Sequence, residues 1–239
     1  MKHISRYYFN LILILCSTLI VAQEKDSIKA IPKIERYGIR VGADVSKIAR
    51  TIYDTNYQGL ELVADYRLTK KYFLAGELGN ENVTTNDEQI NFTTKGSYFK
   101  VGFDYNAHEN WLDLENIISI GLRYGVSTFS QKINSYEIYN PNPYFGAVPD
   151  EQPGQEYGGL SAQWLEVVTG IKTRVFDNFF VGFSLRANLL VNNQKPSGFD
   201  NLFIPGFNRT YDGNFGVGFN YTLTYFIPIY KKQIDVEQK

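Results

Sequence analysis

Cysteine is almost absent from this 239-residue chain. The single one, Cys16, lies near the start. Beyond it no disulfide framework, thiolate nucleophile or zinc–cysteine site can be built. Histidine is nearly as scarce, with only His3 and His108. General acid–base work at neutral pH most often uses histidine, so the catalytic options are narrow. Charge of one sign is lacking too: 24 basic residues stand against 25 acidic ones. A nucleic-acid partner would call for a basic surface, and none is indicated. After the opening stretch no apolar run approaches 18 residues, which excludes a spanning helix. A sustained 3.6-residue period is also missing.

The opening MKHISRYYFNLILILCSTLIVAQ has the layout of a secretory signal peptide. Lys2 and Arg6 precede the short apolar run 11–15, and a small residue, Ala22, follows. Cleavage is expected near Ala22 or Gln23. Leu15 precedes Cys16 where a lipoprotein site would want a small residue, so lipidation is not expected. The chain then divides into a signal peptide (1–22), an N-terminal periplasmic segment (23–35), a β-barrel domain (36–230) and a polar tail (231–239).

What is present is alternation. In FFVGFSLRANLLV, Phe179, Val181, Phe183, Leu185, Ala187, Leu189 and Val191 alternate with Gly182, Ser184, Arg186 and Asn188. A two-residue period reads as a strand with one apolar and one polar face. The pattern recurs in YGIRVGADVS, GLELVADYRL, YFLAGELG, YFKVGFDY, ISIGLRYGVST, WLEVVTGIKTRV and FGVGFNYTLTY. Eight strands follow. The connections 47–56, 81–95, 131–161 and 192–213 are long, while 69–71, 106–115 and 177–178 are shorter. Long and short alternate, so the long ones fall on one rim. That asymmetry marks an up-and-down meander of the transmembrane-barrel kind. The expected fold is all-β, an eight-stranded antiparallel up-and-down transmembrane β-barrel.

Parity alone leaves open which face is convex. The polar faces carry Arg40, Arg67, Lys100, Arg123, Lys172, Arg174 and Arg186 against Asp44, Glu61, Asp65, Glu77, Asp104 and Glu166, amid many glycines. Near-balanced charges and small residues suit the narrow lumen of eight strands. Tyr37, Tyr66, Tyr72, Tyr105, Phe179 and Tyr225 lie on the apolar face at the short-turn ends. An aromatic girdle at a lipid interface would have this placement. The expectation is therefore a lumenal charge network inside and an apolar face toward lipid. A soluble barrel with its apolar face around a ligand is the alternative.

These features resemble the small outer-membrane β-barrels of the OmpA, OmpX and OmpW kind. The stretches RYGIRVGADVS and YQGLELVADYRLTKKYFLAGELG also resemble uncharacterised barrel proteins of Bacteroidota-type bacteria. The resemblance implies the Gram-negative cell outer membrane as location, outer-membrane lipid as surroundings and the outer-membrane assembly machinery as a partner. Such barrels often end on a terminal aromatic. Here TYFIPIY is followed by KKQIDVEQK, with Pro228 unable to donate to a ladder.

Candidate chemistry is sparse. His108, in AHENW, reads as a turn residue near Trp111. Glu61, Asp65 and Asp44 share a polar face with arginines and read as salt-bridged carboxylates rather than a glycosidase pair. Asp150, Glu151 and Glu156 lack calcium-loop spacing, and DGNFGVG precedes no helix, so it is no phosphate loop. The expectation is no cofactor, no metal, no catalytic residue and no enzymatic activity. A barrel enzyme acting on lipid or peptide is the remaining alternative. The loop 131–161, rich in Tyr, Asn, Pro and Gly, is the place for an extracellular ligand or for shielding.

Overall fold

The computed structural model describes residues 33–87, 90–108, 115–136, 144, 154–196, 200–209 and 214–234. The expectations for 1–22, most of 23–35, Trp111, Asp150, Glu151, most of loop 131–161 and the end of the polar tail fall outside them. The elements are β1 (Lys33–Asp44), α1 (Val45–Tyr53), β2 (Tyr57–Arg67), β3 (Tyr72–Asn86), β4 (Ile90–Asn106) and β5 (Ile117–Tyr136). Then come β6 (Glu156–Phe176), β7 (Phe179–Asn193), β8 (Phe203–Ile204), β9 (Asn208–Arg209) and β10 (Phe215–Ile234).

Eight of these strands close into an antiparallel barrel in which each pairs with its neighbour in sequence and β10 returns to β1. The register runs from Ile39 through Tyr66, Leu74, Phe103, Leu122, Val167 and Ala187 to Val217. Gly38, however, lies against the Ile227 carbonyl rather than near Val217. The sheet thus meets itself displaced along the strand, and that stagger tilts the strands and sets the barrel's width. The seam needs close backbones: a Cβ on Gly42 would stand 2.7 Å from the Thr224 Cα.

The apolar faces are convex. Leu185 is 54% exposed while its neighbour Arg186 is 7% exposed. Phe183, Leu189, Phe219, Val217, Leu78, Phe99 and Val101 are exposed in the same way. The alternative of a soluble barrel with its apolar face concave is not what the backbone forms. Above this outer belt the pattern inverts. Val83, Phe92, Phe129, Ile133 and Leu160 turn inward and are buried. Outside them, Thr84 hydrogen-bonds Thr93, and Asn134 donates to Asn91 and Thr93.

Three corrections follow, the first two explained by that inversion. The expected long connection 81–95 is instead the continuation of β3 to Asn86 and β4 from Ile90, paired through to Asn86 and Asn91. Likewise β5 runs to Tyr136 and β6 begins at Glu156, which shortens the connection expected at 131–161. The two-residue period persists there, but with polar residues outward, so it resembles a loop in composition. In 192–213, Phe203–Ile204 and Asn208–Arg209 pair as a small hairpin.

The fourth correction concerns 47–56, expected as a loop. Val45–Tyr53 is an α-helix. Asp44 accepts from the Ser46 backbone N–H as its N-cap. Val45, Ile48, Ala49 and Ile52 supply the i, i+3, i+4, i+7 spacing of one helical face. Nine residues are too few for that period to stand out in the sequence.

Candidate functional site

The lumen is filled in three layers. At the short-turn end Phe73, Phe180 and Phe226 are buried, and Phe180 meets Phe226 edge to face at 6.4 Å. The Arg40 guanidinium lies 4.8 Å from the Phe73 ring centre and 5.3 Å from that of Phe180. Arginine can stack on such rings while its charge is met elsewhere.

The middle layer is ionic. Arg40 bonds Asp65 at 2.6 Å, and Lys172 reaches the other oxygen of Asp65 at 2.6 Å. Arg186 forks onto Glu77 at 2.7 and 3.0 Å and donates to Glu166 at 2.5 Å. Arg123 holds Asp104 at 2.7 Å and approaches Glu77 at 3.6 Å. Lys100 sits among Glu77, Glu166 and Glu61 at 3.2, 3.5 and 3.7 Å. Asp44 and Glu61 are joined by Asn220, which donates to both.

Several members of this layer were not singled out from the sequence. Lys47, on α1, reaches Glu81 at 2.6 Å. Tyr57 donates to Glu81 at 2.6 Å and Tyr98 to Glu61 at 2.5 Å. Glu81 follows Glu77 on the same strand face, so extending the period by four residues would have found it. Lys47 could not be found that way, because a helix carries it.

Two expected members differ. Arg67 and Arg174 are half-buried near the short-turn rim, where Arg67 donates to the Arg36 carbonyl at 2.9 Å. Among the girdle residues, Tyr72, Phe179 and Tyr225 are exposed on the outer surface, and Tyr66 and Tyr105 are half-buried. Tyr72 faces Tyr105 at 5.5 Å, and Phe179 faces Tyr225 at 4.9 Å. Tyr37 is the exception. It is 6% exposed, stacked on Tyr230 at 5.1 Å, with the Arg67 guanidinium 4.7 Å from its ring centre. A ring covered on both faces is a packing residue, not an exposed anchor.

The top layer is apolar. Tyr98, Phe129, Leu160, Ala162, Trp164 and Leu190 form a buried cluster with Ile204 and Phe207. The last two come from the 192–213 connection, which dips into the barrel mouth. Gly206 makes the dip possible: its φ is +81°, and a Cβ there would lie 2.5 Å from the Tyr98 ring. Its N–H donates to Glu81 at 2.7 Å, and Phe207 meets Trp164 edge to face at 5.8 Å. Phe203 joins Tyr57, Val83 and Phe92 in a second cluster.

Chemically the arrangement holds its groups rather than offering them. Glu61 and Asp65 each face a cation and at least one further donor, so neither is placed as a free base. His108 is exposed at the short-turn rim. Among the described residues no three His, Cys, Asp or Glu side chains converge on a metal site. A small chamber lies between Asp65, Glu77, Ser119, Arg123, Lys172 and Arg186.

A family model described as "Domain of unknown function (DUF6048)" matches residues 4–232. The chain belongs to this family. The match spans the whole barrel, including α1 and the hairpin in its mouth. Among solved structures, Ail, the attachment invasion locus protein of Yersinia pestis, is 13% identical. That likeness covers 82% of this chain and 99% of Ail, with a TM-score of 0.41. The same protein in complex with the heparin analogue sucrose octasulfate is 12% identical over 80% of this chain and 97% of Ail, with a TM-score of 0.37. No curated protein matches.

Proposed function

We propose that this member of the DUF6048 family is an outer-membrane β-barrel of Gram-negative cells with a structural or surface-interaction role. In this reading it is neither an enzyme nor a wide pore. The observation that carries it is the reversed polarity of the wall, with Leu185 outward and Arg186 inward, repeated on strand after strand. In water that exposed belt would be far larger than a monomer tolerates, whereas in a bilayer it is the required surface. Closure adds support, because a spanning sheet must leave no unpaired edge.

The charge network then acts as a structural plug. Ions removed from bulk water must be compensated in place, and these are. Export by the 1–22 segment and assembly by the outer-membrane machinery follow from the same location. The rim bearing the β5–β6 and β7–β8 connections would face outward from the cell, with the β5–β6 connection, the remainder of the expected loop 131–161, as the place for an extracellular ligand. The lumen is closed at three levels, so bulk solute passage is not its task. The resemblance to OmpA-, OmpX- and OmpW-type barrels agrees with this role.

Membrane fractionation with gel mobility tests the reading. The protein is expected in the outer-membrane fraction and to migrate differently on SDS gels before and after boiling. Recovery in the soluble fraction, with one mobility under both conditions, would overturn it.

A further inference from the structure

Helix α1 stands where strand should continue. The β1–β2 ladder ends at Ala43↔Leu62, yet β2 runs on to Tyr57, still paired with β3 on its other side. Above Leu62 the edge of β2 is closed by α1 through side chains. The Thr51 hydroxyl accepts from the Gly59 N–H at 2.9 Å, and its one proton lies between the Lys47 carbonyl at 3.0 Å and the Gly59 carbonyl at 3.2 Å. Arg50 covers the Tyr57 ring at 4.0 Å, and Lys47 reaches into the lumen to Glu81. The polar side of α1 is thus committed, Lys47 to the lumen and Arg50 and Thr51 to the edge of β2.

The apolar face is left outside. Val45, Ile48 and Ile52 are 42%, 38% and 82% exposed, and no residue of the helix is buried. In water, a capped helix with that face uncovered has little reason to hold its place. The surface beside it supplies one. Leu60 and Leu62 of β2 are about half exposed. β10, the other neighbour of β1 in the ring, presents Phe215, Val217 and Phe219. The helix face is continuous with the outer belt on both sides.

We propose that α1 is a lipid-facing section of the barrel wall, its apolar face seated against acyl chains and its polar face sealing the lumen. This rests on the outer-membrane reading above. It goes beyond that reading because a connection between strands would otherwise stand in water. A backbone helix satisfies its own hydrogen bonds, so it can replace a strand at this depth where an open loop could not.

Site-directed spin labelling in phosphatidylcholine vesicles tests it. In a Cys16→Ser background, Ile48→Cys and Ile52→Cys are labelled, with Leu185→Cys and Lys95→Cys as belt and aqueous references. The expected result is collision with oxygen exceeding collision with a water-soluble nickel chelate several-fold at Ile48 and Ile52, as at Leu185. Lys95 should show the reverse. Water-like values at Ile48 and Ile52 with lipid-like values at Leu185 overturn the proposal and leave the membrane reading intact. Water-like values at Leu185 as well overturn both. Low access to both reagents, with spin–spin broadening, would mean that a second copy covers the helix and would also overturn the proposal.

Discussion

Arg186 shows what a single lumenal residue does. It answers two buried carboxylates, Glu77 and Glu166, with three hydrogen bonds. Removing it leaves both buried acids without their closest cationic partner. Breaking one side of a buried pair typically costs about 3–5 kcal/mol. Arg186→Ala is therefore expected to lower the unfolding free energy by about that amount, read from urea titration in detergent. Glu166→Gln in the same background should recover part of the loss. Arg186 was legible in the sequence because strand parity sets it on the polar face, together with the acids of the neighbouring strands. Gly206 was not, since nothing in FIPGF distinguishes a hairpin that enters a barrel from one that leaves it. Its φ of +81° and the Tyr98 ring beneath it exclude a side chain. Gly206→Ala is expected to cost at least about 1 kcal/mol and to open 200–209 to protease while the strands stay protected.

The strands were readable wherever the outer face is apolar, from Tyr72 to Leu78 on β3 and from Phe99 to Tyr105 on β4. Beyond Asn80 and Ser97 the outer face turns polar while the inner one becomes apolar. The same period then carries the opposite meaning, and composition suggests loops where the ladder continues. Helix α1 was missed for a different reason. Its apolar spacing covers only two turns and begins inside an alternating stretch, so YGIRVGADVS reads as strand to the end. The helix is held to β2 by a few side-chain bonds, and Thr51 provides the pair that meets the open Gly59 peptide. Thr51→Val keeps the volume and removes both. A hydrogen bond contributes about 1 kcal/mol, so amide exchange at Gly59 should rise on the order of fivefold. Exchange at the β4–β5 ladder should not change, because local opening at this seam does not require the barrel to unfold.

At the scale of the whole molecule, the deciding property is which face meets which solvent. The alternation by itself carries no sign, because a period of two is the same whether the apolar residues point in or out; the near-balanced charges and glycines of the polar face are what pointed it inward. Only closure in a definite sense, together with the pairing of charges across the lumen, settles the sign. The proposed bilayer then gives two outward positions opposite fates. Leu185 lies within the outer belt, whereas Asn80 is outward on β3 just beyond Leu78, where the belt ends. An arginine facing the middle of a bilayer costs about 2–4 kcal/mol. Leu185→Arg is expected to destabilise the folded protein in vesicles by that amount, while Asn80→Arg should stay within about 0.5 kcal/mol of the parent. In water the order would reverse, since replacing an exposed leucine with arginine reduces apolar surface. A Leu185→Arg variant as stable as the parent in vesicles, or more so, would therefore remove the lipid from its proposed place around the barrel.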